Sequence, residues 1–342
     1  MGRYTVNLHL YFVMNFFSKL SQNKNKKRRF PFLNVILFAL LLLLSTKGTV
    51  NAESWITTTI DSEGEVGDNT SIAVDLYNNY LISYIDKTNG ALKFAKYDGN
   101  TWTTTIVDAT CGAYYDAQDT SITVDDDNNY LISYYDSNNQ DLKFAKYDGN
   151  SWSTTTIDST GNVGLFPDIT TTSDINDHYL ISYLNHTNGD LKLAKYDGNT
   201  WTTSVIDSSG YVGRYSSITT DKDNNYLVSY SDSSNYDLKF AKYDGSSWTI
   251  TVVDNDTQGY VGWDTSITTD NDNNYLISYY QSTGSYSGIL KLAKYNGTSW
   301  SIEGIDDQSL ARYSSLTVDQ DNNYLVSYTN FTDGYLNIAK YD

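Results

Sequence analysis

The sequence has little cysteine, proline or basic charge. Its single cysteine, Cys111, excludes an intrachain disulfide, so the stability of the fold must come from packing. Only 2 prolines occur, and no Pro- or Gly-rich linker interrupts the chain beyond residue 52. That part holds 15 basic and 41 acidic side chains. Because phosphate binding depends on Lys and Arg, this balance argues against nucleic acid as a partner.

Residues 1–52 differ in kind from the rest of the chain. They carry no acidic residue, and a basic cluster at 24–29 precedes an apolar run at 30–44 and small residues near the expected cut. This order predicts a secretory signal peptide, with Met14 as an alternative start, and a mature domain over 53–342. The apolar run is shorter than the ~20 residues of a membrane helix. We therefore expect no membrane span after processing and a secreted or cell-surface location, an uncleaved anchor being the alternative.

Three phrases recur six times along the mature chain. Tyr-Leu-Ile/Val-Ser-Tyr alternates with Leu-Lys/Asn-x-Ala-Lys-Tyr, and a Trp opens each unit at steps of 47 to 52 residues. Each unit contains four short segments rich in β-branched and aromatic residues, separated by Asx and Gly turns, and none shows helical periodicity. The sequence thus predicts an all-β, six-bladed β-propeller with four antiparallel strands per blade. The opening residues are Trp55, Trp102, Trp152, Trp201, Trp248 and Trp300.

The sixth unit is split between the two ends of the mature chain. The Lys-Tyr-Asp turn that precedes Trp elsewhere stands at Lys340–Asp342, while Ser54–Trp55 opens the mature domain. We predict that Trp55–Ile60 supplies the outer strand of the last blade and leaves no open sheet edge there. The opening Trp residues are expected to lock neighbouring blades together. The lysines of the Leu-Lys-x-Ala-Lys strands are expected to pair with nearby Asp residues.

The repeats resemble those of secreted propellers with BNR or Asp-box repeats, a superfamily that includes the sialidases. The resemblance spans 55–342 and is carried by segments such as Gly210–Gly213 and Leu227–Tyr230. The turn departs from a full Asp box, because Asp98 and Gly99 are adjacent. What the resemblance implies is the propeller fold. Sialidase chemistry would also require three arginines around a carboxylate, and the mature chain has two, so that activity is not expected.

The crossover segments between blades vary in sequence, while the three phrases on either side of them repeat. If the first strand of each blade runs from top to bottom, these crossovers share the top face with the loops between second and third strands. Variation inside a repeating frame is expected of a recognition surface, and neutral drift in exposed loops is the alternative. Aromatic rings stack on ligand rings, and Trp263 is the one mature Trp outside the repeat. The candidate ligand-binding residues are Asp68, Asp119, Phe166, Arg214, Tyr215, Trp263, Asp264, Arg312 and Tyr313.

Asp-x-Asp-x-Asn turns match the opening ligand spacing of calcium loops. They lack the turn Gly and the closing Glu, and the alternative is a hairpin in which the Asx side chains satisfy the backbone. We expect no cofactor, with calcium as the alternative. The candidate metal ligands are Asp125, Asp127, Asp221, Asp223, Asp270, Asp272, Asp319 and Asp321.

Together these features predict a noncatalytic, secreted, monomeric binding propeller whose ligand, a glycan or a cell-surface protein, meets the crossover face. The alternative is a divergent glycoside hydrolase or lyase that uses carboxylates on the same face. Such chemistry needs two carboxyl groups about 5–10 Å apart, and aspartates are too abundant here to single out a pair. A purely architectural surface protein is the third hypothesis.

Overall fold

Each sequence repeat folds into one small antiparallel sheet. The computed structural model describes residues 58–341 apart from 113–119, 174–177, 258, 285–286 and 308–309. Residues 59–342 form one compact unit. No helix long and apolar enough to cross a bilayer occurs among the described residues. The predicted signal peptide lies outside them and stays a prediction.

The described residues form 23 strands in six sheets, which we number in chain order. Sheets 1 and 2 contain β1 (Val66–Val74), β2 (Tyr80–Asp86), β3 (Ala91–Tyr97), β4 (Trp102–Asp108), β5 (Thr120–Val124), β6 (Tyr130–Asp136), β7 (Asp141–Tyr147) and β8 (Trp152–Asp158). Sheets 3 and 4 contain β9 (Val163–Thr171), β10 (Tyr179–Asn185), β11 (Asp190–Tyr196), β12 (Trp201–Asp207), β13 (Val212–Thr220), β14 (Tyr226–Asp232), β15 (Asp237–Tyr243) and β16 (Trp248–Asp254). Sheets 5 and 6 contain β17 (Tyr260–Thr269), β18 (Tyr275–Gly284), β19 (Ser287–Tyr295), β20 (Trp300–Asp306), β21 (Ala311–Val318), β22 (Tyr324–Asn330) and β23 (Tyr335–Tyr341).

The six sheets follow one another in a propeller arrangement, which confirms the predicted fold class. Within each sheet the strands pair antiparallel in sequence order. The first strand of each sheet packs against the first strand of the next from β1 to β21, so these strands lie innermost. The second strands β6, β10 and β14 are buried along their whole length. A strand covered on both faces by neighbouring sheets explains why apolar residues fill both faces of the Tyr-Leu-Ile-Ser-Tyr phrase.

A buried tyrosine, an aspartate and a lysine join neighbouring sheets at each boundary from sheet 1 to sheet 5, and between sheets 5 and 6 Asn337 stands in place of the lysine. The hydroxyl of Tyr134 in sheet 2 donates to Oδ2 of Asp108 at the end of sheet 1, across 2.8 Å. Lys143 pairs with the same carboxylate. The arrangement returns with Tyr183 and Asp158 at 2.7 Å. The prediction that strand lysines pair with aspartates is confirmed for most of them, including Lys143 and Lys192. These pairs are buried at blade boundaries, where satisfied polar groups fix the relative position of the sheets.

The Trp that opens each fourth strand packs between blades. Trp152 in sheet 2 contacts the ring of Phe94 in sheet 1, with ring centroids 5.0 Å apart in an edge-to-face arrangement. Trp201 contacts Phe144 at the same distance one blade later. Edge-to-face pairs of this kind add to the energy of burial. The interpretation of these residues as blade locks is confirmed for these pairs.

Sheet 6 has three strands among the described residues. Most of the predicted fourth strand, Trp55–Ile60, lies outside those residues, and its last part, residues 58–60, adopts no strand. The neighbouring Asp61 accepts a 2.8 Å hydrogen bond from Tyr84, as Asp108 does from Tyr134 in the next sheet. Ile338 of β23, the edge strand of sheet 6, stays exposed. Closure of the last blade by the first mature residues therefore stays a prediction.

Candidate functional site

The five crossover strands whose variable pairs are described contain a bulge at the same position. The second residue of each variable pair has a left-handed backbone, with φ between 46° and 55°, although none is glycine. The strand register shifts at these points. The five residues are Asn69, Phe166, Tyr215, Asp264 and Tyr313. Four of them are among the predicted ligand-binding residues.

The bulges carry a conformational cost. A left-handed backbone costs roughly 1–2 kcal/mol for a residue with a side chain, and bulky aromatic residues are rare there. Such strain is concentrated at functional sites, where it aims side chains that a regular strand would point elsewhere. Phe166, Tyr215 and Tyr313 are aromatic residues held in this conformation on the crossover face. The backbone thus supports the interpretation that this face is specialised.

An aromatic and charged cluster lies between sheets 5 and 6. We call Tyr260, Trp263, Asp264, Tyr280 and Arg312 the Trp263 cluster. The guanidinium of Arg312 lies 4.6 Å from the ring centroid of Trp263 and 5.3 Å from that of Tyr280. Its Nε donates a 2.7 Å hydrogen bond to Oδ2 of Asp264. Burial opposes its charge, but Asp264 raises the pKa of Arg312 above its ordinary value. The charge of Arg312 is therefore already paired within the cluster.

Four members of the Trp263 cluster, all except Asp264, line an open cavity of about 480 Å³. Its walls include the rings of Trp263, Tyr260 and Tyr280, and Ser282 and Thr283 contribute hydroxyl groups at one side. Small-ligand sites combine apolar walls with a few polar groups that fix orientation. Aromatic walls with hydroxyl and guanidinium donors suit a sugar ring, which has an apolar face and polar edges.

A second cavity of about 300 Å³ lies between sheets 2, 3 and 4. We call it the Arg214 pocket and define it by Tyr135, Asn162, Phe166, His186, Tyr211 and Arg214. The guanidinium of Arg214 lies 5.8 Å from the ring centroids of both Phe166 and Tyr215. Its Nε is buried without a hydrogen-bond partner among the described residues. Leaving a buried donor unpaired costs about 1–3 kcal/mol, so this arrangement requires an explanation.

A shallow cavity of about 320 Å³ surrounds the axis where the innermost strands meet. Its most distinctive residue is Asp168, which occupies a position taken by Ser121 and Ser217 in the neighbouring sheets. Asp168 accepts hydrogen bonds from both of these hydroxyls, at 2.7 and 3.0 Å, and from the backbone N–H of Ile218. Burial raises the pKa of its carboxyl in spite of these bonds. Asp168 therefore ties three blades together at the axis.

The structure brings most of the predicted site residues together. Phe166 and Tyr215 have ring centroids 4.7 Å apart, and Tyr215 lies 6.1 Å from Trp263. Arg214, Asp264, Arg312 and Tyr313 join the same arc. Asp68 is not part of it and instead forms an ion pair with Lys87 at 2.5 Å. Asp119 lies outside the described residues.

Sequence reasoning missed the residues that complete the two cavities. Tyr280 and Tyr135 each follow directly after the repeating Tyr-Leu-Ile-Ser-Tyr phrase, where the other units carry Ile, Leu, Ser or Thr. Tyr211 precedes the Val-Gly pair of its crossover. All three stand at positions that vary within the repeat. The signal that selected the crossover pairs would therefore have found them as well.

The Asp-x-Asp-x-Asn turns form hairpins held by their own side chains. Oδ1 of Asp125 accepts the backbone N–H of Asn129, and Oδ2 accepts its Nδ2, both at 2.7 Å. Oδ2 also accepts the hydroxyl of Tyr179 at 2.8 Å. Asp221, Asp270 and Asp319 make the corresponding bonds to their Asn partners. These contacts favour the hairpin interpretation, and calcium binding stays untested.

No protein-family model and no curated protein sequence matches the chain. Several solved structures are similar to it in fold. A leech intramolecular trans-sialidase aligns with a TM-score of 0.57 at 12% identity, covering 85% of this chain and 70% of that one. The SapL1 lectin, solved with α-methyl fucoside, aligns with 0.56 at 15%, covering 81% and 94%. An ulvan lyase of a polysaccharide lyase family aligns with 0.53 at 13%, covering 79% and 82%.

These likenesses establish the fold alone, because every identity is below 25%. The chain has the propeller fold of sialidases, trans-sialidases and lectins. These neighbours are named as a lectin, as sialidases or trans-sialidases, and as a polysaccharide lyase. Since one fold carries all three, activity has to be argued from the residues of this chain.

Proposed function

We propose that this chain is a noncatalytic, secreted propeller that binds a glycan on its crossover face. The observation that carries the proposal is the Trp263 cluster, where three aromatic rings and a fixed guanidinium surround an open cavity. Arg312 and Trp263 are 4.6 Å apart, from guanidinium carbon to ring centroid. The SapL1 lectin of the same fold gives the proposal a precedent in fold.

The chemistry of the site suits binding better than turnover. Asp264 is the carboxylate of this cluster, and its Oδ2 accepts hydrogen bonds from both Arg312 Nε and the backbone N–H of Tyr313, at 2.7 and 3.1 Å. A carboxylate oxygen that already accepts two hydrogen bonds from the chain is not free to act on a bound ligand. The rings and hydroxyls can hold a sugar, and the described residues that line the cavity include no Asp or Glu that could cleave it.

A divergent glycoside hydrolase or lyase is the second candidate, and Asp168 supports it. Burial raises the pKa of this carboxyl, as a general acid requires, and the axial cavity reaches it. The ulvan lyase of similar fold gives this hypothesis a precedent in fold only. Its requirement for a second free carboxylate is unmet by Asp264, which is held by Arg312.

A glycan array probed with the mature domain, residues 53–342, tests the proposal. Every glycan that binds is then incubated with the domain and analysed by mass spectrometry for cleavage or elimination products. We expect binding with no product. Products from a bound glycan would establish the second candidate instead, and an array without any binding would contradict the proposed function.

A further inference from the structure

The Arg214 pocket has an unusual charge for this protein. The whole chain has a net charge of −18, yet the described residues that line the pocket include Arg214 and His186 and no Asp or Glu. Carboxylates pair with most of the strand lysines of the propeller, as Asp108 does with Lys143. An isolated guanidinium in an otherwise acidic molecule is a local anion site.

The repeat supplies an internal comparison for this arginine. Arg214 and Arg312 both open the segment Arg-Tyr-Ser-Ser, two blades apart. Arg312 is neutralised by Asp264, the left-handed residue of the preceding crossover, with φ 52°. The left-handed residue in the crossover that precedes Arg214 is Phe166, with φ 51°. A phenyl ring therefore stands where the other arginine has its carboxylate.

The missing carboxylate leaves Arg214 held but not paired. Phe166 and Tyr215 lie against its guanidinium, each ring centroid 5.8 Å from the guanidinium carbon. Its buried Nε donates to no described residue. Aromatic contacts fix the position of a guanidinium without satisfying its planar set of N–H donors. Such a group is preorganised for an oxyanion supplied from outside.

Two further groups of the pocket are prepared to contact a ligand. The hydroxyl of Tyr135 donates to Oδ1 of Asn162 at 2.8 Å, which fixes the side-chain amide. Nδ2 of Asn162 makes no hydrogen bond to the described residues and is available as a donor. Nδ1 of His186 contacts the hydroxyl of Tyr211 and so holds that ring at the edge of the cavity. The pocket combines an anion-binding fork, an amide donor and aromatic walls.

We propose that the Arg214 pocket binds the carboxylate of an acidic sugar, with the sugar ring against Tyr211 and Phe166. The proposal deepens the proposed function and rests on it. Sulfate on a sugar offers the same oxyanion chemistry. The carboxylate is the better match, because a planar guanidinium pairs with a planar carboxylate through two parallel hydrogen bonds.

The test is an array in which each carboxylate-bearing glycan is paired with its carboxyl-reduced form, together with sulfated glycans. We expect at least one acidic glycan to bind about 10- to 100-fold more tightly than its reduced form, the range of one charge-assisted contact. Arg214→Gln is expected to remove this preference, and Arg214→Lys to keep part of it. Equal binding of the paired glycans, an unchanged preference in Arg214→Gln, or a preference for sulfated glycans alone would overturn the proposal.

A second variant supplies the counter-ion from within the chain. Phe166→Asp reproduces the Asp264 position beside Arg214 and is expected to abolish binding of the acidic glycan. The melting temperature of Arg214→Gln is expected to equal or exceed that of the wild type, because the described residues give Arg214 no carboxylate whose charge would be left unpaired. A fall as large as that of Arg312→Gln would show that Arg214 is structural.

Thermal shift with free D-glucuronate and D-glucose separates this inference from the proposed function. Stabilisation by glucuronate but not by glucose, lost in Arg214→Gln, supports anion binding in the Arg214 pocket. It does so even if no glycan binds on the array, because an array without binding contradicts only the proposed function. If neutral glycans bind on the array and glucuronate has no effect on the melting temperature, the proposal for the Arg214 pocket is wrong and the proposed function still holds.

Discussion

Arg312 donates a 2.7 Å hydrogen bond from Nε to Oδ2 of Asp264, and the two residues belong to different blades. Asp264 is buried and Arg312 largely so. The backbone N–H of Tyr313 donates to the same oxygen at 3.1 Å. The pair therefore joins sheets 5 and 6 at the crossover face and holds the wall on which Trp263 lies. This relationship connects the stability of the propeller to the shape of its candidate site.

We predict that Arg312→Met destabilises the domain by about 3 kcal/mol. Removing the guanidinium leaves the buried carboxylate of Asp264 uncompensated, and breaking a buried pair on one side has a cost of this size. Chemical denaturation of the two proteins measures the difference. Arg214→Met is the matched control, since it removes the same side chain at the same repeat position without orphaning a carboxylate. Equal losses in the two variants would contradict the paired role of Arg312.

We predict that Trp263→Ala weakens binding of any glycan found on the array by at least about tenfold, because an aromatic side chain that a ligand covers contributes about 1.4 kcal/mol or more. The melting temperature should change little, since the ring is half-exposed. Titration calorimetry and thermal melting give the two quantities. Trp102→Ala, which removes a repeat Trp away from the crossover face, should leave affinity intact. Unfolding of Trp263→Ala would instead place this ring in the core.

The strained crossover bulges predict a trade between stability and binding. Tyr313 is 63% exposed and has φ 55°, a conformation that Asn adopts more readily than Tyr. We expect Tyr313→Asn to stabilise the domain by up to about 1 kcal/mol and to weaken glycan binding. Denaturant unfolding and calorimetry on the same preparation measure both. A variant that loses stability while keeping affinity would show that the bulge serves the fold.

The buried carboxylates between blades predict the response to pH. Burial alone would raise the pKa of Asp108, but hydrogen bonds from Lys143 and Tyr134 outweigh it and lower this pKa to about 2 from its ordinary 3.8. A lowered folded-state pKa gives stability that is complete above pH ~4 and is lost as the pH falls towards ~2. Burial raises the pKa of Tyr134. The stability that depends on its neutral form is present below the unfolded value of about 10 and is lost above it.

Thermal melts across pH are therefore expected to show a plateau between about pH 5 and 9, with falls on both sides. Asp108→Asn should lower the plateau and reduce the slope of the acid limb. A single maximum near the sequence pI of about 4.4 would contradict this account, because it would make net charge, and not the paired carboxylates, the controlling quantity.

The fold was readable from the sequence because the same physical requirement is repeated six times. A strand buried on both faces must carry apolar residues on both, and Tyr130–Tyr135 and its five relatives do so. The turn aspartates were equally readable, since Asp125 satisfies a backbone four residues away. Local patterns of this kind could not show whether Asp119 and Asp68 belong to the candidate site. Nothing in a crossover pair shows which neighbours the bulge will bring to it.

The two cavities depend on contacts between repeats, which local patterns do not encode. The carboxylate of Asp264 meets Arg312, 48 residues away in the chain. The absence of such a carboxylate at Arg214 is visible only when the crossover before it is compared with the one before Arg312. Tyr280 and Tyr211 were missed because each is one residue outside the phrases that define the repeat. Comparison between repeats, position by position, recovers both.

A crystal structure of the mature domain with its tightest-binding array glycan tests the central claim most directly. We predict an intact sugar on the crossover face, stacked on Trp263 or seated against Arg214. A glycan in the groove of about 660 Å³ beside Asp272 and Trp300, on the opposite end of the propeller, would contradict the account. So would a cleaved or unsaturated product at the axis beside Asp168.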